Sequence, residues 1–107
     1  MRYLVILFLV VFSFTAYSQY QIEGRVFDHE SKKPLEFCNV FINGTTQGTQ
    51  TDTSGYFNLK GIPFVEIELV ISYVGYESFS KVVNFSKSSK LDMEISLMPL
   101  VNRLIYY

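Results

Sequence analysis

After its first 18 residues the chain alternates apolar and polar side chains almost without interruption, in short runs separated by turn-forming residues. A period of two sends successive side chains to opposite faces, so this pattern commits the chain to half-buried β-strands. No stretch keeps a helical 3.6 period over three turns. Residues 21–27 (QIEGRVF) place Ile22, Gly24 and Val26 on one face, and a polar loop over 28–34 ends at Pro34, which has no ladder donor. Residues 37–42 (FCNVFI) predict a second strand with Cys38, Val40 and Ile42 inward. Asn43-Gly44 then reads as a turn, because both residue types accept positive φ cheaply.

The polar, β-favouring run 45–51 predicts a short strand bent at Gly48, and residues 52–55 predict a turn. There the Asp52 carboxylate bonds backbone N–H groups ahead of it and Gly55 takes the left-handed conformation. Residues 56–60 direct Phe57 and Leu59 inward, and Gly61-Ile62-Pro63 reads as a break. Residues 66–74 (EIELVISYV) form the clearest strand, with Ile67, Leu69, Ile71 and Tyr73 inward and Glu66, Glu68 and Ser72 toward solvent. Gly75 turns the chain into 76–85, where Val82-Val83 blurs the alternation and predicts a bulge. Residues 91–97 (LDMEISL) alternate cleanly until Pro99. The expected fold is all-β: a small antiparallel sandwich of about seven strands over residues 19–100. At about 1.5–3 kcal/mol for each fully buried large apolar side chain, its inward sets are enough to offset the ordering entropy of a small domain.

The first 18 residues have another character. Met1-Arg2 precedes an unbroken apolar run over 3–12, followed by small residues one apart at Ala16 and Ser18. That is the layout of a secretory signal peptide, and the run is short of the about 20 apolar residues that cross a bilayer. Cleavage after Ser18 is therefore preferred over an uncleaved anchor, and no Cys follows the cut to carry a lipid. Loss of Arg2 leaves eight basic residues against ten acidic. A slightly acidic chain without a basic stripe argues against nucleic acid as a partner. Cys38 is the single cysteine, so no intrachain disulfide forms. Residues 101–107 make an apolar tail, suited to a further edge strand or a linker stub.

Residues capable of chemistry are few. His29 is the sole histidine, flanked by Asp28 and Glu30, but three-ligand metal sites draw on several segments, so a solvated loop is the better reading. Cys38 lies in an apolar pattern without a histidine partner and reads as a small core residue. Asp52 and Gly55 lack the further carboxylates of a calcium loop. No nucleophile sits on a recognisable strained turn and no loop is built to cradle phosphate, so neither enzymatic activity nor a cofactor or metal is expected. Tyr73, Tyr76 and Phe79 are the candidate ligand-facing aromatics, although aromatics also fill sandwich cores.

Several spaced motifs together resemble one family. They are Gly24-Arg25-Val26-Phe27-Asp28, Lys33-Pro34-Leu35, Asn39-Val40, Asn43-Gly44-Thr45, Gly48-Thr49, Thr51-Asp52-Thr53-Ser54-Gly55-Tyr56-Phe57-Asn58-Leu59 and Leu69-Val70-Ile71-Ser72-Tyr73-Val74-Gly75-Tyr76. In this order they resemble the carboxypeptidase-like regulatory domain, a transthyretin-like β-sandwich of bacterial envelope proteins. The resemblance implies a non-catalytic module, often placed after the signal peptide of a TonB-dependent outer-membrane receptor. The expectation is an exported accessory or interaction module, periplasmic or outer-membrane associated, touching the membrane only by association. Its expected partner is an envelope protein, reached through a sheet edge or the C-terminal tail. The alternative is a carbohydrate-binding module with a shallow aromatic site at Tyr73, Tyr76 and Phe79.

Overall fold

The structure, a computed structural model, describes residues 19–100. The expected leader over 1–18 and the tail over 101–107 lie outside the described residues. Seven strands follow in order: β1 (Tyr20–Asp28), β2 (Asn39–Ile42), β3 (Gly48–Gln50), β4 (Tyr56–Ile62), β5 (Glu66–Ser72), β6 (Phe79–Asn84) and β7 (Lys90–Leu97). They form two facing sheets, β4-β1-β7 and β3-β2-β5-β6. The alternating inner rows meet between them: Ile22 and Val26 of β1, Val40 and Ile42 of β2, Phe57 and Leu59 of β4, Ile67, Leu69 and Ile71 of β5, and Ile95 and Leu97 of β7 are all buried. Cys38 joins this core, and Tyr20 stacks on Phe85 with ring centroids 4.9 Å apart, closing the end where β1 begins.

The all-β sandwich holds, with one correction to its expected antiparallel character. β1 and β7 pair in parallel, in register from Gln21 opposite Lys90 to Asp28 opposite Leu97. The chain crosses from the four-stranded sheet to the three-stranded one between β6 and β7, and such a crossover permits parallel pairing where a tight hairpin does not. Gly24 is shaped by this pairing, because a Cβ there would run into the Met93 carbonyl oxygen.

Several boundaries also differ. The second strand starts at Asn39 instead of 37, since Phe37 sits at φ 63° and cannot extend the ladder. The first part of 45–51 is a turn, and Gly48 opens β3 instead of bending it. Gly61-Ile62 does not break the fourth strand. Gly61 takes φ 66° at a register shift between β1 and β4, absorbing one extra residue as a bulge so that Ile62 still reaches the core. β5 stops at Ser72, and Tyr73 begins a turn through Val74 and Gly75 that closes with the Tyr76 N–H donating to the Tyr73 carbonyl. The strand expected over 76–85 is shorter, because Tyr76 instead bridges to Pro99. No bulge occurs at Val82-Val83. β5 and β6 pair without a shift from Glu66 opposite Asn84 to Ile71 opposite Phe79, and the doubled valine simply leaves Val82 outside and Val83 inside.

Candidate functional site

The expected turn residues act within the backbone. Gly44, Gly55 and Gly75 all have positive φ. The Asn43 side-chain amide donates to Glu68 Oε1 at 2.6 Å, and Ser80 Oγ donates to the other oxygen at 2.8 Å. The Ser80 and Asn43 hydrogen bonds hold the Glu68 carboxyl below its ordinary value. Asp52 Oδ1 accepts from the N–H groups of Ser54 and Tyr56, at 2.9 and 3.0 Å. At Gly55 a Cβ would stand 2.6 Å from the Val26 carbonyl oxygen, which adds a steric reason for glycine to its φ of 74°. The Gly75 carbonyl accepts from the Leu100 N–H at 2.9 Å and fixes the path of the chain after β7.

The three candidate aromatics are half-buried and packed against the core. Tyr73 and Tyr76 come together with ring centroids 5.6 Å apart, while Phe79 lies on β6 opposite Ile71. The Tyr76 hydroxyl donates to Asp28 Oδ2 at 2.5 Å. That bond pushes the tyrosine up to about 12 and, with backbone N–H bonds from Ser31 and Glu30, holds the Asp28 carboxyl below its ordinary value. His29, by contrast, is exposed in the loop and engages through its backbone N–H, which donates to the Leu97 carbonyl. Among the described residues no group of three His, Cys, Asp or Glu side chains is placed to hold a metal ion.

Cys38 is fully buried and burial pushes its thiol up, which disfavours the nucleophilic thiolate. Beside it is Thr51, which closes the polar run 45–51 and is nonetheless buried. Its hydroxyl donates to the Leu35 carbonyl at 2.6 Å and accepts the Cys38 N–H at 2.9 Å. The hydroxyl thereby fixes the approach to β2.

A second group missed in the sequence lies on the outer face of β4-β1-β7. Glu23 accepts from the Tyr56 hydroxyl at 2.6 Å and pairs with Lys90 at 3.1 Å, and Gln21 donates to Asn58 at 2.9 Å. The Tyr56 bond, then that from Lys90, holds the Glu23 carboxyl low, and Glu23 in turn raises Tyr56. Around it, Arg25, Asp92 and Glu94 line a shallow depression of about 310 Å³. Each side chain is ordinary for an exposed strand position, and only the three-strand register brings them together. The alternation could place them on one face but could not pair them.

The chain matches the CarboxypepD_reg-like domain over residues 22–104. It is 32% identical over 98 residues to TonB-dependent receptor P39 of Formosa agariphila, covering 89% of this chain and 9% of that receptor's length. Among solved structures it is similar to a chain of a type II cohesin–X-dockerin complex from Acetivibrio cellulolyticus (TM-score 0.58, 21% identity, 74% of this chain and 55% of that one). It is also similar to 3-chlorocatechol 1,2-dioxygenase from Rhodococcus opacus 1CP (TM-score 0.59, 14% identity, 78% and 61%). A shaft pilin from Lactobacillus rhamnosus GG is a third such structure (TM-score 0.53, 16% identity, 77% and 46%). At these identities the structural likenesses speak to fold alone. The family match spans most of the chain and all but the first residues of its two sheets, and on it the chain belongs to the CarboxypepD_reg-like domain family.

Proposed function

We propose that this chain is a non-catalytic accessory module of the bacterial cell envelope, exported and held at the periplasmic side of the outer membrane, which works by engaging another protein through a sheet edge. The likeness to a TonB-dependent receptor supports the setting. The observation that carries the mode of action is the unequal finish of the sandwich edges. One side is sealed by Gln47, whose side-chain amide reaches the Lys60 and Gly61 carbonyls. On the other the chain is joined only beyond the strands, at the Tyr76–Pro99 bridge, and among the described residues β6 and β7 themselves end their sheets side by side without pairing. Unpaired backbone groups on an edge are a template for another strand. The reactive groups support the same reading: the one thiol is buried and raised, and the acids Glu23, Asp28 and Glu68 are engaged in hydrogen bonds within the fold.

The test is fractionation of cells expressing the protein at native level, followed by sizing of gently solubilised envelopes with an antibody to the domain. The reading expects an envelope-associated species that sizes well above the chain alone. A species confined to the cytosol, or one that sizes as the free chain in the envelope, sinks it.

A further inference from the structure

Between β6 and β7 runs a groove of about 270 Å³, lined by Lys81, Val83, Leu91, Asp92 and Met93 among others. The sheet containing β7 has three strands and the facing sheet four, so among the described residues no strand of the smaller sheet continues past β7 opposite β6. The inner row of β7 records that gap. Ile95 and Leu97 are fully buried, whereas Leu91 and Met93, on the same face, remain half-buried.

The two edges of the groove are not equivalent. Lys81 pairs across the sheet with buried Leu69 and therefore stands on the inner row of β6. An inward charge on an edge strand discourages pairing there. The inner row of β7 is entirely apolar and carries no such guard. On its outer row Lys90 is committed to Glu23. Asp92 and Glu94 are exposed and make no ion pair among the described residues, although Arg25 stands beside Glu94 in register.

We infer that β7 accepts an added strand from a partner protein: an extended segment with alternate apolar side chains toward Leu91 and Met93, and Lys or Arg toward Asp92 and Glu94. This rests on the interaction-module reading and specifies its edge and the chemistry of its partner. Main-chain bonds supply affinity in such an addition, and the alternate side chains supply specificity. A second copy fits less well. Antiparallel self-pairing centred on Met93 sets Asp92 against Glu94 twice, and centring on Asp92 sets that carboxylate against its own copy while offering Glu94 only Lys90, which already pairs with Glu23.

The experiment is a titration of the purified, isotope-labelled protein with a synthetic peptide of alternating isoleucine and lysine, and with its isoleucine–glutamate counterpart, followed through backbone amide resonances. The lysine peptide is expected to shift resonances of β6 and β7 and the glutamate peptide to leave them in place. The double variant Asp92→Lys, Glu94→Lys should bind the lysine peptide roughly tenfold more weakly and take up the glutamate peptide. Unchanged resonances in β2 to β5 verify that this variant is folded. Shifts on β3 or β4 instead, equal binding of both peptides, insensitivity to charge reversal, or no binding would overturn the inference. So would concentration-dependent self-association through β7, which would make a second copy the occupant. If the peptides fail while envelope complexes persist, the groove is wrong and the module reading stands; if the complexes are absent too, both fall.

Discussion

The Tyr76 hydroxyl and the Asp28 carboxylate meet at 2.5 Å across 48 residues of sequence, joining the end of β1 to the turn between β5 and β6. The segment after β7 is fastened to the same place, with the Glu77 N–H on the Met98 carbonyl and the Leu100 N–H on that of Gly75. The Tyr76–Asp28 bond and a short backbone ladder thus both help to hold this end of the sandwich.

This pairing has a pH signature. Tyr76 keeps its proton in the folded state up to about 12, above the ordinary tyrosine value of 10.0. Its contribution is fully present below pH 10 and is lost as pH rises from there toward 12, because the folded state then binds the extra proton. Thermal melts across that window should fall more steeply for the native protein than for Tyr76→Phe. Parallel curves would show that the bond contributes nothing.

On the acid side the sign reverses. Asp28, Glu23 and Glu68 all have lowered folded values, so their stabilisation is present above the ordinary carboxylate range and is lost as pH falls through the depressed values. Replacing Glu23 with Gln should flatten the acid limb of the stability curve. An unchanged limb would mean that the Glu23–Tyr56–Lys90 group is only decorative.

Thr51→Val should cost roughly 1–3 kcal/mol in denaturant unfolding, because it strips the partner from the buried Cys38 N–H and leaves the Leu35 carbonyl only the weak thiol donor of Cys38. Thr51→Ser keeps the hydroxyl and should recover most of that loss. Equal losses in the two variants would assign the effect to the methyl group instead.

Phe37 is exposed and holds φ 63°, a conformation that costs an L-residue about 1–2 kcal/mol and that asparagine tolerates better. Phe37→Asn should therefore raise the midpoint of unfolding. A lowered midpoint would show that the ring is held by packing that repays its strain.

How much of this was legible in the sequence depends on what a residue's periodicity can report. Alternation identifies a face, so the inner rows of β1, β2, β4 and β5 and the burial of Cys38 follow from it. It does not identify a neighbour. The parallel partnership of β1 and β7 was therefore not visible, nor was the meeting of Glu23 with Tyr56 and Lys90 that its register creates. Gly61 shows a different failure, since a glycine before a proline reads as a break, yet here it forms a bulge within a continuing strand. Thr51 was hidden because a threonine in a polar run carries no sign of whether tertiary packing will bury it.

The most direct test of the account places a photoreactive side chain at Ser96, exposed on β7, and separately at Lys60, exposed on β4 beneath the Gln47 seal. Irradiated in living cells, the Ser96 position should give a discrete protein adduct in the envelope fraction, and the Lys60 position none. Adducts from Lys60 alone, or from neither position, would contradict an interaction module that works through its open edge.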